Sequence, residues 1–253
     1  SDVCSSDLIK KNIDKVLCIF PFEKELYESY DIPVHYCGHP LVSQLPEKAN
    51  REEFFARHGF DTNRKLVSIF PGSRKFELKN LAGVFIKAAK DLQKKHPELQ
   101  FCISHAPNLP DDIYDKYVKD TDFRIIKGEN QALLSVSDAL ILASGTVALE
   151  AALYGTPMII AYRGPLLFYW IYLLVRCIKM VSLPNIISKK IIVPEIIEHK
   201  VSVHNISYNI EKLLYDKETR KIHIDGLSGV KELLSDKISS SEAADEIVKE
   251  LNI

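Results

Sequence analysis

Short apolar runs alternate with amphipathic stretches through the middle of the chain. The apolar runs at 65–70, 100–104, 123–127, 139–143 and 158–162 predict five buried strands. Between the first two runs, apolar residues recur every three or four positions, which is the period of a long amphipathic helix. Strands separated by helices require right-handed crossovers, and hence a parallel sheet covered on both faces. The pattern predicts an α/β fold with a Rossmann-like domain.

The start of the chain reads differently from its middle. Residues 1–45 predict one strand at 15–20, a short helix and an extended segment at 31–36. These elements are too few to bury both faces of a parallel sheet, so we interpret them as the remnant of another domain. Residues 46–253 then form the second domain, which ends in polar helices. Residues 1–8 match nothing expected in either domain, and an artefact is left open as their origin.

Composition and charge narrow the range of functions. The formal net charge of −1, with 26% charged and 46% hydrophobic residues, describes an ordinary globular protein and argues against nucleic-acid binding through bulk charge. The five cysteines are scattered without metal-ligand spacing, and no catalytic triad follows from spacing, so we expect no metal and no cofactor. No signal peptide and no run of roughly 18 to 20 apolar residues is found, which makes a cytoplasmic location the default.

One candidate site is the loop Phe70-Pro-Gly-Ser-Arg74, which follows a strand and opens the long helix. Open parallel sheets bind ligands at such turns. Gly72 permits close backbone approach, the helix start offers N–H groups to an anion, and Arg74 can donate two hydrogen bonds to a phosphate. The alternative is a plain turn with Ser73 as N-cap and Glu77 in the first helical turn. From this loop alone, anion binding and a plain turn are about equally supported.

A second loop, Ser144-Gly145-Thr146, also follows an apolar strand and precedes a helix. Its hydroxyls and N–H groups suit a diphosphate, and Glu150 lies one helical turn later, where a carboxylate can accept both hydroxyls of a ribose. The alternative is a capped helix with one acidic residue in its first turns. Two such loops on one sheet favour nucleotide or phosphosugar binding.

An aromatic segment at 165–175 has basic flanks. It is too short to span a bilayer, and a buried helix is one interpretation. Aromatic residues beside cations are also typical of helices that lie in a membrane interface, so a membrane or acyl-chain contact is the other. The candidate contacts are Phe168, Trp170, Tyr172 and Arg176.

Several short motifs share a fixed order along the chain, from about residue 12 to its end. They are Phe20-Pro21-Phe22-Glu23 with Tyr27, Gly38-His39-Pro40, Phe70-Pro71-Gly72-Ser73-Arg74 with Glu77, Ser144-Gly145-Thr146 with Leu149-Glu150, Pro157-Met158, Tyr162-Arg163, Leu183-Pro184-Asn185 and Val193-Pro194-Glu195. Each motif is weak alone, but the ordered set is specific. In this order the motifs resemble those of the lipid-A-disaccharide synthases.

The resemblance implies a GT-B architecture, in which two Rossmann-like domains face a cleft and the carboxy-terminal one holds most of the donor nucleotide. It implies an inverting sugar transfer from UDP-2,3-diacylglucosamine to 2,3-diacylglucosamine 1-phosphate (lipid X), which yields a β-1,6-linked disaccharide phosphate and UDP. The implied place of work is the inner face of the cytoplasmic membrane, because both substrates are lipids. A homodimer is left open.

The resemblance also assigns roles that spacing alone does not. Asn185 joins Glu150 as an implied uridine or ribose contact. Substrate or interdomain roles are implied for four further residues, which are Glu77, His39, Arg163 and Glu195. The catalytic base is expected in an amino-terminal domain that this chain mostly lacks. The chain alone is therefore expected to bind UDP weakly and to transfer no sugar. It is also expected to aggregate through an exposed domain face. One departure is Glu198, where the family usually has Gln.

Two alternatives remain at this stage. A UDP-sugar 2-epimerase or another GT-B enzyme would use the same nucleotide loops for a different reaction. A non-catalytic nucleotide-binding fragment would bind without turnover. Products formed from the diacyl donor and lipid X discriminate between them, since an epimerase returns epimers of the donor sugar and no disaccharide.

Overall fold

The computed structural model describes residues 2–164, 180–234 and 237–251, with side chains from residue 7 onward. The chain divides into two compact units. The first contains residues 1–45 together with 229–253, and the second contains residues 46–228. The stretch 229–253, which the sequence was expected to add to the second domain, groups with the first unit.

The first unit pairs two short parallel strands, β1 and β2, in register from Val16 opposite Val34 to Cys18 opposite Tyr36. Its elements are α1 (Asp2–Asn12), β1 (Val16–Cys18), α2 (Pro21–Ser29), β2 (Val34–Tyr36), α3 (Leu41–Gln44) and, from the other end of the chain, α12 (Ser239–Leu251).

Ion pairs explain why the end of the chain belongs to the first unit. The Lys15 ammonium lies 2.7 Å from a carboxylate oxygen of Glu246 and 2.6 Å from one of Glu250, both on α12. His35 on β2 lies 3.2 Å from the Glu242 carboxylate. Three glutamates of α12 are therefore contacts with residues 1–45.

The second unit is an alternation of strands and helices. Its elements are α4 (Arg51–His58), β3 (Leu66–Phe70), α5 (Lys75–Lys95), β4 (Gln100–His105), α6 (Asp115–Val118), β5 (Arg124–Lys127), α7 (Asn130–Val136), β6 (Ala139–Ala143), α8 (Val147–Tyr154), β7 (Met158–Tyr162), α9 (Leu183–Ser188), β8 (Glu195–Ile197), α10 (Val203–Tyr215) and α11 (Lys217–Leu234), the last of which continues past residue 228.

All six strands of the second unit are parallel, in the order β5-β4-β3-β6-β7-β8. Starting from β3, the chain adds β4 and β5 on one side and then returns to add β6, β7 and β8 on the other. The order therefore reverses between β3 and β6, which is the arrangement of a doubly wound Rossmann fold. The predicted fold class is confirmed.

The alternating side chains of the strands fill two apolar layers, because successive residues of a strand point to opposite faces of the sheet. On one face, Val67 and Ile69 of β3 belong to a cluster with Phe85 of α5 and Ile206 and Ile210 of α10. The other face carries α7 and α8, which contact β3 and β7 respectively. Every residue of β3 and β6 is buried, so both strands are covered on both sides, as a parallel sheet requires.

Two of the motif segments in the second unit are parts of regular elements. The segment Leu183–Ser188 forms the short helix α9, and Glu195–Ile197 forms the edge strand β8. Pro at the second position of α9 needs no hydrogen-bond donor there, and Glu195 pairs with Ile160 of β7. Each segment contains a polar residue next to a proline, so neither shows the apolar pattern that predicts a core element.

The segment proposed as a membrane contact, including Phe168, Trp170, Tyr172 and Arg176, lies outside the described residues. Among the helices that are described, none combines the length and the apolar character needed to cross a membrane.

Candidate functional site

The two predicted loops meet at the point where the strand order reverses. A cleft of about 340 Å³ opens there, at the carboxyl ends of β3 and β6. Its walls include residues 70–74 and 143–147, with Ser104, Ala106 and Pro107 from the end of β4 beside them. Gly72 and Gly145 thus open onto one crevice, which is where doubly wound sheets bind ligands.

The first loop is held by Glu77 rather than by Ser73. Gly72 has a φ of 104°, a conformation that favours glycine, and this brings the following backbone over the start of α5. The Glu77 carboxylate accepts hydrogen bonds from the N–H of Ser73 at 3.0 Å and of Arg74 at 3.2 Å. The Glu77 carboxylate therefore caps the start of α5 by satisfying two backbone N–H donors.

Arg74 is the cation of the cleft wall. Its side chain is 81% exposed, and its guanidinium lies 3.0 Å from the other oxygen of Glu77. An exposed pair of this kind contributes little to stability, so the guanidinium remains available to an anion in the cleft. Asn108 braces the same loop, since its amide donates to the Ser73 carbonyl at 2.8 Å.

The second loop brings another helix start to the cleft. Ser144 donates its backbone N–H to Ala161 at 3.0 Å, and Gly145 and Thr146 accept the first backbone hydrogen bonds of α8. The first N–H groups of a helix have no partner within it and carry the positive end of the helix dipole. Two such ends, of α5 and α8, line one cleft that also contains Arg74. This arrangement favours a ligand with two phosphate groups.

Glu150 lies in a neighbouring cavity rather than in the cleft itself. That cavity, about 590 Å³, is lined by Glu150, Glu129, Gln131 and Tyr154 among others. Burial raises the pKa of the Glu150 carboxyl, and a hydrogen bond from Gln131 opposes that shift. The cavity offers carboxylate acceptors beside a cleft that offers donors, so a ligand occupying both would place hydroxyl groups in one and phosphates in the other.

Two polar residues of the cleft carry no sequence motif. The cleft is lined by Ser104, at the end of β4, and by Asn130, the first residue of α7. The Ser104 hydroxyl donates to the side-chain carbonyl oxygen of Asn130 at 2.6 Å. The available signal was position alone, because each stands where an apolar strand ends or a helix begins. Within the described ranges, no group of three His, Cys, Asp or Glu side chains is placed to hold a metal ion.

Comparison with known proteins identifies the family. A family model described as lipid-A-disaccharide synthetase matches residues 6–250. The chain belongs to this family. It is 33% identical to a lipid-A-disaccharide synthase of Hydrogenovibrio crunogenus over 95% of this chain and 65% of that protein. It is 35% identical to one of Psychromonas ingrahamii over 81% of this chain and 55% of that protein.

The chain therefore spans less than two thirds of the length of these synthases. Solved structures agree on the fold. S. aureus MnaA, solved with UDP, matches with a TM-score of 0.67 and 12% identity over 97% of this chain and 62% of that one. The UDP-GlcNAc 2-epimerase of Neisseria meningitidis, bound to UDP-GlcNAc, matches with a TM-score of 0.59 and 18% identity over 90% of this chain and 58% of that one. At these identities the likeness shows an α/β fold of GT-B type and nothing further.

Two of the residues assigned through the synthase resemblance form a buried hydrogen-bonded cluster. The carboxylate of Glu195 accepts from the backbone of Val181 and Ser182, from the Ser182 hydroxyl and from the Asn185 amide. Asn185 is fully buried, and its amide also bonds to the backbone of 192–193. Its donors and its acceptor are used by the chain itself.

The geometry therefore does not support the implied contact of Asn185 with uridine or ribose. Neither cavity described above is lined by Asn185 or Glu195. The cluster instead fixes the segment 181–195 next to the second loop, where the Ser144 hydroxyl lies 3.5 Å from the Val181 carbonyl. Both residues contribute to the structure around the cleft of this family member rather than to its lining.

Of the other residues assigned through the resemblance, Glu77 lines the cleft and Arg163 does not. Arg163 donates to the carbonyl groups of Val201 at 2.7 Å and Asn80 at 3.3 Å. His39 belongs to the first unit, where it is buried against Phe20, and burial lowers its pKa. Glu198, the departure from the family pattern, accepts the Gly164 N–H at 2.8 Å, which an amide oxygen of Gln could also do.

Proposed function

We propose that this chain carries the UDP-sugar-binding part of a lipid-A-disaccharide synthase. The observation that supports this most directly is one cleft, in a member of this family, that joins two helix starts and Arg74 at the switch point of the sheet. In the proposed complex, the diphosphate of UDP-2,3-diacylglucosamine occupies the cleft between residues 72–74 and 144–146. The ribose occupies the adjoining cavity, where Glu150 accepts its hydroxyls.

The proposed reaction is an inverting transfer. The hydroxyl of the acceptor, 2,3-diacylglucosamine 1-phosphate (lipid X), attacks the anomeric carbon of the donor sugar, and UDP leaves with its bonding electron pair. The negative charge that develops on the leaving diphosphate is stabilised by Arg74 and by the N–H groups at the starts of α5 and α8. The general base is proposed to come from a part of the longer synthases that this chain does not cover.

The proposed site of action is the cytoplasmic face of the inner membrane, with the protein bound peripherally. Both proposed substrates carry two acyl chains, so their sugars are presented at a lipid surface. Sedimentation with vesicles that contain anionic lipid tests this part of the proposal. Protein that stays in the supernatant at every lipid concentration would contradict it.

Nucleotide binding is tested by calorimetry with three probes, namely UDP, inorganic diphosphate and uridine. Arg74→Ala is expected to lower the affinity for UDP and for diphosphate about tenfold, the value of one lost charge-assisted hydrogen bond. Glu150→Ala is expected to lower the affinity for UDP and for uridine and to leave diphosphate unchanged. Lys94→Ala, which removes a charge at the far end of α5, is the matched control and should change none of the three.

Turnover is tested on a protein that has the full length of the synthases. Given the diacyl donor and lipid X, we expect disaccharide 1-phosphate and UDP as products. This chain alone is expected to bind UDP and to form no disaccharide. Donor-sugar epimers without disaccharide would show a 2-epimerase, and UDP affinity unchanged in both Arg74→Ala and Glu150→Ala would refute the proposed site.

A further inference from the structure

Two residues line both cavities of the second unit, and one of them is polar. Asn130 lines the cleft between the two loops, and it also lines the neighbouring cavity that contains Glu150. Pro107 is likewise common to both, but it has no polar group in its side chain. Asn130 is thus the polar side chain at the junction, and neither the motifs nor the family comparison assigns it a role.

The orientation of the Asn130 amide is fixed by Ser104. Ser104 lies at the end of β4 and is only 4% exposed. Its hydroxyl donates to the side-chain carbonyl oxygen of Asn130 at 2.6 Å. A buried hydroxyl without an acceptor would be destabilising, so this hydrogen bond has a reason to persist. Because the carbonyl oxygen is engaged, the amide nitrogen is the group that Asn130 can offer to a ligand.

Charge explains why an amide suits this position. The cleft side of the junction contains two helix starts and Arg74, whose partner Glu77 also lines the cleft, whereas the cavity side contains the carboxylates of Glu129 and Glu150. A carboxylate at position 130 would add a like charge beside a bound phosphate, and a cation would be drawn towards the two glutamates. A neutral donor avoids both effects and still contributes a hydrogen bond.

We propose that Asn130 is a ligand-contacting residue, whose amide nitrogen donates to the phosphate nearest the nucleoside, and that Ser104 is its positioning residue. The inference rests on the proposed function, because it needs a phosphate in the cleft and a nucleoside in the adjoining cavity. The inference is narrower than the proposed function, because it concerns a single hydrogen-bond donor. That donor binds the phosphate that UDP and UMP share and that uridine lacks.

The experiment compares UDP, UMP and uridine as calorimetric probes of the full chain. Asn130→Ala is expected to weaken UDP and UMP by about tenfold and to leave uridine unchanged. Asn130→Asp keeps the size of the side chain but adds a charge, so a larger loss for UDP and UMP is expected, which salt reduces. Ser104→Ala should give the same pattern with a smaller loss, because it frees the amide without removing it.

A matched control separates this role from a structural one. Asn209→Ala removes another asparagine whose amide bonds within α10, far along the chain from either cavity, and should leave all three affinities unchanged. Equal losses for UDP, UMP and uridine in Asn130→Ala would show a structural effect and overturn the inference, as would no loss at all. Wild-type protein that fails to bind UDP would overturn the proposed function itself, and the inference with it.

Discussion

A buried histidine outside the cleft makes the stability of the protein depend on pH. His223 of α11 is 4% exposed, and its ring nitrogen accepts the backbone N–H of Met158 at 3.2 Å, at the start of β7. Burial, with a smaller contribution from the charge of Arg220, lowers the pKa of His223 to about 4. The neutral ring is therefore the form that the fold requires.

The direction of the pH effect follows from this lowered pKa. Between the ordinary histidine pKa near 6.5 and the folded value of about 4, the unfolded chain binds a proton at His223 and the folded chain does not. The free energy of unfolding is expected to fall by about 3 kcal/mol as the pH is lowered through this window. Denaturant titrations at a series of pH values measure it.

His223→Gln isolates the contribution of this residue. The glutamine side chain can still accept the Met158 N–H, but it does not titrate. The variant should therefore lose most of the slope between pH 6.5 and 4 that the wild-type protein shows. Identical slopes in the two proteins would mean that other groups cause the acid sensitivity.

At the level of elements, the start and the middle of α5 respond oppositely to the same substitution. A Cβ added to Gly72 would lie 2.6 Å from the Glu77 Cβ and would also meet its carboxylate, at a φ of 104°. Gly72→Ala is expected to lower the free energy of unfolding by about 1–3 kcal/mol, because the backbone is strained and the helix start loses its acceptor. Gly83, inside α5, has open space around the corresponding position. Gly83→Ala should raise the free energy of unfolding by about 0.5–1 kcal/mol.

Thermal or denaturant unfolding of the two variants checks this pair. Each substitution adds one methyl group, either in the loop before α5 or in the middle of that helix, so the variants serve as controls for each other. Destabilisation by Gly83→Ala, or none by Gly72→Ala, would contradict the described start of α5.

The elements differ in how far their sequence predicts them. β6 and β7 were predicted to the residue, because each is a continuous apolar run of strand length that follows a turn, which is typical of a strand buried on both faces. β8 was missed because Glu195, its first residue, has a carboxylate that the cluster of 181–185 satisfies, and only the folded chain brings those donors together. A local pattern predicts what a segment buries, but it does not predict which distant polar groups satisfy it.

The same limit applies to the candidate site. Both loops could be predicted, since Gly72 and Gly145 each follow a buried strand, and adjacent parallel strands end at one edge of the sheet. Ser104 and Asn130 could not, because their hydrogen bond joins the end of β4 to the start of α7, and only the folded chain brings these two side chains together. Asn185 was assigned through resemblance, and its burial shows that a residue within a family motif can serve the fold.

At the scale of the whole molecule, the two ends of the chain close one compact unit. Lys15 contacts Glu246 and Glu250 of α12, and these hydrogen bonds raise the pKa of Lys15 and lower that of Glu246. Because the Glu246 pKa is lowered, its stabilisation is present above the ordinary carboxyl pKa and is lost as the pH falls through the folded value. Residues 229–253 therefore depend on residues 1–45, although Lys15 and Glu246 are 231 positions apart along the chain.

Limited proteolysis and hydrogen exchange test this closure. Lys15→Met removes the charge but keeps the apolar stem of the side chain, so α12 is expected to be cleaved and to exchange faster, and more so at low ionic strength, where the lost attraction is greatest. Lys212→Met is the control, since it removes a lysine whose ion pair with Asp216 is local, four residues along the chain. If Lys15→Met leaves α12 as protected as Lys212→Met does, apolar packing rather than charge holds the end of the chain in the first unit.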